Sequence, residues 1–250
     1  MEKYLLHLGL TAGINLALLL PLFLLAFLTG SRPKRYLPIL LFALLFVFDM
    51  GLVLMPKLGQ VIPPWGGWNW QGKLLQMAWP VLLVLFVPAF AAARSGFKLP
   101  AERGSWRALP IACAAYLLIG IPAILLLGAR FNPGAPDLPM WVYEATMPGL
   151  GEEFVYRGIF LVLLNEAFGR PWKFAGIQLG WGFVIVSVMF GLLHGIDAKS
   201  LSEVHIIWGP NMFLPMAIGF VLAWVRERTG SVWPCVLFHN FVNTINDLFV

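Results

Sequence analysis

Along its length the chain reads as eight apolar runs, each close to the roughly 20 residues that a helix needs to cross a bilayer. They cover residues 8–28, 37–55, 74–93, 108–128, 150–168, 175–194, 204–225 and 232–250. Only 12% of the residues are charged and 60% are hydrophobic, whereas a soluble domain carries about 25% charged residues. So few charges cannot clothe a soluble domain of this length, and a disordered chain would hold far less apolar surface. The expected fold is therefore an all-α integral membrane protein, a bundle of about eight transmembrane helices.

The net charge of +5 does not indicate nucleic acid. Its basic residues lie in short clusters between apolar runs and form neither a basic face nor a nucleic-acid motif. They read instead as orientation signals. Loops one, three, five and seven hold eleven of them, including Arg32, Lys34, Arg35, Arg94, Arg170 and Arg226. The opposite side holds five: Lys3, Lys57, Lys73, Arg130 and Lys199. That bias puts both termini outside. The first run is too long for a signal-peptide core and is followed by a stop-transfer-like Ser31-Arg32-Pro33-Lys34-Arg35, so it is kept as a mature helix. Cys113 and Cys235 both fall in apolar runs, which argues against a disulfide scaffold.

The loop at 61–72 carries Pro63, Pro64, Trp65, Trp68 and Trp70. Tryptophan favours the headgroup layer, so an interfacial anchor is expected ahead of a substrate platform. The segment 137–147 is amphiphilic, and Pro148-Gly149-Leu150-Gly151 is expected to break the helix and let a new one start near Leu150. No internal repeat and no appended soluble domain is evident. The chain is expected to divide into a four-helix membrane region at 1–130 and a second membrane core at 131–250, the two forming one integrated domain.

An ionisable side chain within a span costs several kcal/mol unless it is paired or hydrated. This sequence concentrates such residues in its C-terminal half. The fifth run opens with Gly151-Glu152-Glu153-Phe154-Val155-Tyr156-Arg157, the sixth closes with Phe190-Gly191-Leu192-Leu193-His194, and the eighth carries His239-Asn240-Phe241-Val242-Asn243. Glu153 and Arg157 are four apart with the acid first, the better order for an ion pair. Glu152 is turned about 100° away and lacks that partner. His239 and Asn243 share a helix face. Counted from the cytoplasmic ends, Glu152 and His194 sit at about 24 and 28 Å, but His239 at only about 11 Å. By that count the eighth span falls short of the others.

A carboxylate and an imidazole sharing one water make a general-base pair suited to amide hydrolysis. A second histidine and an asparagine offer donors to a developing oxyanion. Glu152, His194 and His239 equally make a possible zinc set with an open position, although HExxH is absent. A paired Glu153–Arg157 could also be a helix–helix anchor, and Asn243 interhelical glue. Asp49, in the second run, is expected to pair with a neighbouring helix. Glu203 and His205 are expected at a solvated rim.

These motifs, in this order on successive spans, resemble the CPBP family: the CAAX proteases and bacteriocin-processing enzymes, also called Abi proteins. These are intramembrane glutamic endopeptidases. The resemblance covers residues 150–250, while the first four runs match only in being hydrophobic. It implies Glu152 as general base with His194 as its partner, Glu153 and Arg157 as organisers of the site, and His239 with Asn243 as oxyanion hole. It also implies no cofactor and no metal. The implied substrate is a membrane-anchored protein or peptide, and the implied location is the bacterial cytoplasmic membrane. The short loops fit bacterial members better than the eukaryotic prenyl-protein branch. A zinc-dependent membrane protease using the same residues, and a non-catalytic membrane scaffold or immunity protein, are the alternatives.

Overall fold

The computed structural model describes residues 2–29, 35–54, 67–100, 106–127, 137–174 and 176–249. Trp65 and most of the Pro- and Trp-rich loop lie outside these residues. The first two runs form α1 (Glu2–Thr29) and α2 (Tyr36–Leu54). The third begins earlier than its hydropathy suggests. Asn69 accepts from the backbone N–H of Gly72 and so caps α3 (Trp70–Phe86). Pro88 follows the end of α3, and the chain bends by 113° into the segment that ends with α4 (Ala92–Ser95). The fourth run is α5 (Ala108–Ala115), a π turn (Tyr116–Gly120) and α6 (Ile121–Leu127).

A short α7 (Leu138–Glu144) precedes the fifth run. That run is α8 (Met147–Glu153), a π turn (Phe154–Phe160) and α9 (Leu161–Phe168). The expected break is present: α7 ends at Glu144 and a new helix starts at Met147, three residues ahead of Leu150, with Pro148 inside it rather than between helices. Pro148 sits in the first turn of α8, where a missing N–H costs nothing.

Two small hairpins depart from the all-α expectation. In the first, β1 (Trp172–Phe174) pairs antiparallel with β2 (Ile177–Leu179) through Gly176, whose φ of +81° glycine adopts readily. The sixth helix, α10 (Trp181–Gly195), therefore starts six residues later than the apolar run. In the second, β3 (Ile196–Ser200) pairs antiparallel with β4 (Glu203–Ile206). Gly209-Pro210 then starts α11 (Pro210–Thr229), again later than expected. Glu203 and His205 lie on β4 and are exposed. The chain closes with α12 (Trp233–Phe249).

Among the described residues three helical segments are long and apolar enough to cross a membrane: Tyr4–Thr29, Tyr36–Leu54 and Ala108–Leu127. The bent pair Trp70–Phe86 and Pro88–Ser95 makes a fourth if it is one span. The count of eight is not reached by length and apolarity. The fifth run is loaded with charge, and α10 has only 15 residues.

Exposed and buried faces differ along the sequence. Leu20, Leu24 and Leu28 of α1, Leu40 and Leu44 of α2, and Leu126 of α6 (86% exposed) present apolar surface outward, which suits lipid and not water. The segment from Phe154 to Leu164 is buried throughout. It is flanked by α2, α3, α10 and α12. Rings knit the halves together: Phe42 meets Phe160 edge-on at 5.1 Å, and Phe27 meets Phe168 at 5.3 Å. Close approach of α10 and α11 depends on Gly191, where an added Cβ would lie 2.5 Å from Met216 Cβ.

Candidate active site

The start of α8 is held from another helix. Gly149 N–H donates to Asn240 Oδ1 on α12 at 2.8 Å, and Asn240 Nδ2 donates to the Thr146 carbonyl at 3.2 Å. Thr146 supplies no side-chain cap, so Asn240 satisfies a helix-end donor that would otherwise be orphaned. This staple sets α8 and α12 together just where each carries its polar residues.

The two adjacent glutamates then diverge, as their helical positions require. Glu153 points inward: its Oε1 accepts from Arg157 Nη1 at 3.1 Å and from His239 Nδ1 at 2.8 Å, and both Glu153 and Arg157 are 0% exposed. Arg157 also donates to the Gly219 carbonyl at 3.1 Å and lies over the Phe190 ring at 4.7 Å. The π turn begins directly after Glu153, widening the helix beside this knot. Arg157 thus joins α9's segment to α10 and α11, and His239 joins the cluster. His239 reaches Glu153 at 2.8 Å despite the depth mismatch counted along the sequence.

Glu152 turns the other way. Its Oε1 accepts from Lys73 Nζ on α3, and its Oε2 lies 3.9 Å from His239 Nε2. Lys73 also donates to Gln76 Oε1 at 2.9 Å, and Gln76 Nε2 donates to Asp49 Oδ2 at 2.8 Å. Trp79 Nε1 holds the second Asp49 oxygen at 2.8 Å. Asp49 is therefore a pairing partner for a neighbouring helix, as expected. Its connection onward to Glu152 makes the N-terminal half part of the site. Lys73 had been counted as a loop charge on the outer side. It stands on α3, because Asn69 starts that helix four residues earlier.

His194, at the end of α10, donates from Nδ1 to the Phe190 carbonyl at 2.7 Å. That bond leaves Nε2 as the acceptor nitrogen. Glu152, His194, His239 and Asn243 line one cavity of about 460 Å³, together with Trp68, Lys73, Tyr143 and Glu144. A second cavity of about 220 Å³ shares Lys73, Glu152, Phe190 and His194, and reaches Thr11 on α1 and Asp49 on α2. Trp68 stacks on Tyr143 at 5.2 Å and lines this cavity.

Asn243 Nδ2 donates to Glu144 Oε2 at 2.8 Å. An amide nitrogen carries two hydrogens, so Glu144 aims Asn243 and leaves one N–H for another acceptor. Glu144 ends α7, which is too short to cross a membrane. Burial pushes its carboxyl up to about 7, against the smaller opposing effect of the Asn243 bond. Among the described residues no group of three or more His, Cys, Asp or Glu is arranged to hold a metal ion.

The sequence motifs thus meet in space. Lys73, Glu144 and Asn240 were passed over. Asn240 lies inside the quoted His239–Asn243 segment and could have been weighed. Lys73 would have needed the Asn69 cap to be recognised, and Glu144 lies in a segment noted only as amphiphilic.

Residues 134–245 match the family model for type II CAAX prenyl endopeptidase Rce1-like proteins. This segment is Rce1-like. No curated protein and no solved structure matches the chain. The Rce1-like segment spans every residue of the expected catalytic set and excludes Lys73, Asp49 and Trp68, which come from the N-terminal half. With the apolar helices, this match makes the chain an integral membrane protein whose segment 134–245 is similar to CAAX-type membrane proteases.

Proposed function

We propose that the protein is an intramembrane endopeptidase that hydrolyses a peptide bond of a membrane-anchored protein or peptide, using a water activated by Glu152 and His194. The observation that carries this is a shared cavity with complementary free acceptors. Lys73 occupies Glu152 Oε1 and the Phe190 carbonyl occupies His194 Nδ1. Glu152 Oε2 and His194 Nε2 are left to take the two protons of one water. The water oxygen attacks the substrate carbonyl carbon as its proton passes to Glu152. Asn243, aimed by Glu144, donates to the developing oxyanion, and His239 Nε2 does so when the ring carries both protons. Collapse breaks the C–N bond, and the proton taken from water goes to the leaving nitrogen. Glu153 and Arg157 are positioning residues: they fix His239 and touch no substrate.

Lys73 holds the general base through the chain Asp49–Gln76–Lys73–Glu152, so the N-terminal helices are needed for turnover. The open cavity and its Trp68 wall suit a peptide arriving from the lipid side. Eight crossings with the site toward the outer face remain the arrangement we favour.

The test is hydrolysis in lipid vesicles. The purified chain receives a farnesylated peptide with a CAAX ending and the same peptide on an acyl anchor. It releases a C-terminal fragment from at least one of them. Glu152→Gln and His194→Ala each slow release by about 100-fold or more while retaining the fold. Unchanged cleavage by Glu152→Gln contradicts the mechanism.

A further inference from the structure

At the far end of the bundle from Glu152 lies a cavity of about 860 Å³ lined by Arg35, Arg94, Arg170 and Arg226, with Glu166 and Glu227. Along the continuous run from α8 through the π turn into α9, Glu166 is fourteen residues beyond Glu152, about 20 Å of helix rise. The cavity therefore belongs to the opposite membrane surface. Four guanidinium groups face two carboxylates, so the described lining carries a positive balance of two charges.

The carboxylates do not exhaust the donors. Glu166 is shared between Arg35 Nη1 and Arg94 Nη2, and Glu227 takes Arg170 Nε at 3.2 Å and Asn165 Nδ2 at 2.7 Å. Each of these three arginines commits one nitrogen to its carboxylate, while a guanidinium carries five N–H groups. Arg226 is the more telling. It is 5% exposed, its Nη2 donates to the Arg94 carbonyl at 3.2 Å, and its Nε has no hydrogen-bond partner. Among the described residues no carboxylate forms an ion pair with it. Its guanidinium lies against Gly96, where a Cβ would come within 2.5 Å of it. The helix C-termini at Gly169 and Gly230 answer part of this charge, but backbone carbonyls carry no full charge to balance a buried guanidinium.

We propose that this cavity binds a phosphate group, with Arg226 as its floor and Arg94 and Arg170 at its mouth. Arginine forks match phosphate oxygens bidentately. A basic pocket between helices at this membrane surface fits an anionic phospholipid headgroup, and free inorganic phosphate offers the same chemistry. The site is separate from the proposed catalytic cavity, and its test does not depend on proteolysis.

The test is the melting temperature of the detergent-solubilised full chain with three additions: phosphatidylglycerol, phosphatidylcholine, and inorganic phosphate against chloride at equal ionic strength. The proposal predicts a rise of about 5 °C with phosphatidylglycerol over phosphatidylcholine, or with phosphate over chloride. The first result identifies a lipid headgroup and the second a free ion. In the double variant Arg94→Gln/Arg170→Gln, the rise disappears while the unliganded melting temperature stays close to wild type, since both guanidinium groups are exposed, Arg35 still pairs with Glu166 and Asn165 still holds Glu227. No rise with either probe overturns the proposal, as does a rise that persists undiminished in the double variant. If that variant fails to fold, the single Arg170→Gln variant, which leaves Glu227 held by Asn165, is read in the same way.

Discussion

Arg157 and Glu144 show how one side chain decides what its neighbours can do. Arg157 balances Glu153 where neither is exposed, so removing it leaves a buried carboxylate with only His239 beside it. Arg157→Met is expected to destabilise the chain by about 3–5 kcal/mol, and the double change Glu153→Gln/Arg157→Met to recover part of that loss. Denaturant unfolding in detergent measures both, and strictly additive losses would contradict the pairing. Glu144 behaves oppositely. Burial raises its carboxyl from the ordinary 4.5 to about 7, so the folded state prefers the protonated form. Its contribution to stability is present below the ordinary value and is lost as pH rises through the raised one. Wild-type melting temperature should therefore fall relative to Glu144→Gln between about pH 5 and 7. Parallel curves would show that Glu144 is not buried as described.

Elements matter here through where they start and how closely they approach. Gly191 lets α10 lie against α11, and His194 is on the same helix one turn later. Gly191→Val would push the helices apart, costing about 1–3 kcal/mol, and would shift His194 within the cavity. A lower kcat with KM little changed is the expected outcome in the vesicle assay. Unaltered turnover would mean that the crossing does not position His194. Hydropathy located the core of most helices but misjudged starts, for reasons that are local. A strand with buried Ile177 and Leu179 reads as apolar as a helix, and so the hairpin ahead of α10 was invisible. The Glu153–Arg157 pair was legible because four-residue spacing is intrinsic to a helix. The partnership of Glu152 with Lys73 was not, because it joins residues 79 positions apart on helices whose packing no sequence period encodes.

At the scale of the whole molecule, two polar clusters among the described residues are separated along the chain by buried aromatic residues such as Phe160 and Phe168. One holds the carboxylates and imidazoles, and the other holds the arginines. The N-terminal half contributes more than lipid-facing bulk: α2 and α3 deliver Asp49, Gln76 and Lys73 to a site whose motif residues all lie after residue 150. The resemblance named the proposed reacting groups and did not reach this support. Under the charge bias read from the sequence, the arginine-rich end is the one expected to face the cytoplasm.

The central claim is that Glu152 drives cleavage of membrane-anchored substrates. Terminal-peptide profiling of membranes from cells making either the wild-type chain or Glu152→Gln, at equal levels and both folded, tests it most directly. The account predicts a set of new peptide ends, at positions near the outer membrane surface, that is present with wild type and vanishes in the variant. Identical profiles, from cells grown where the protein is required, would contradict it and leave a membrane scaffold.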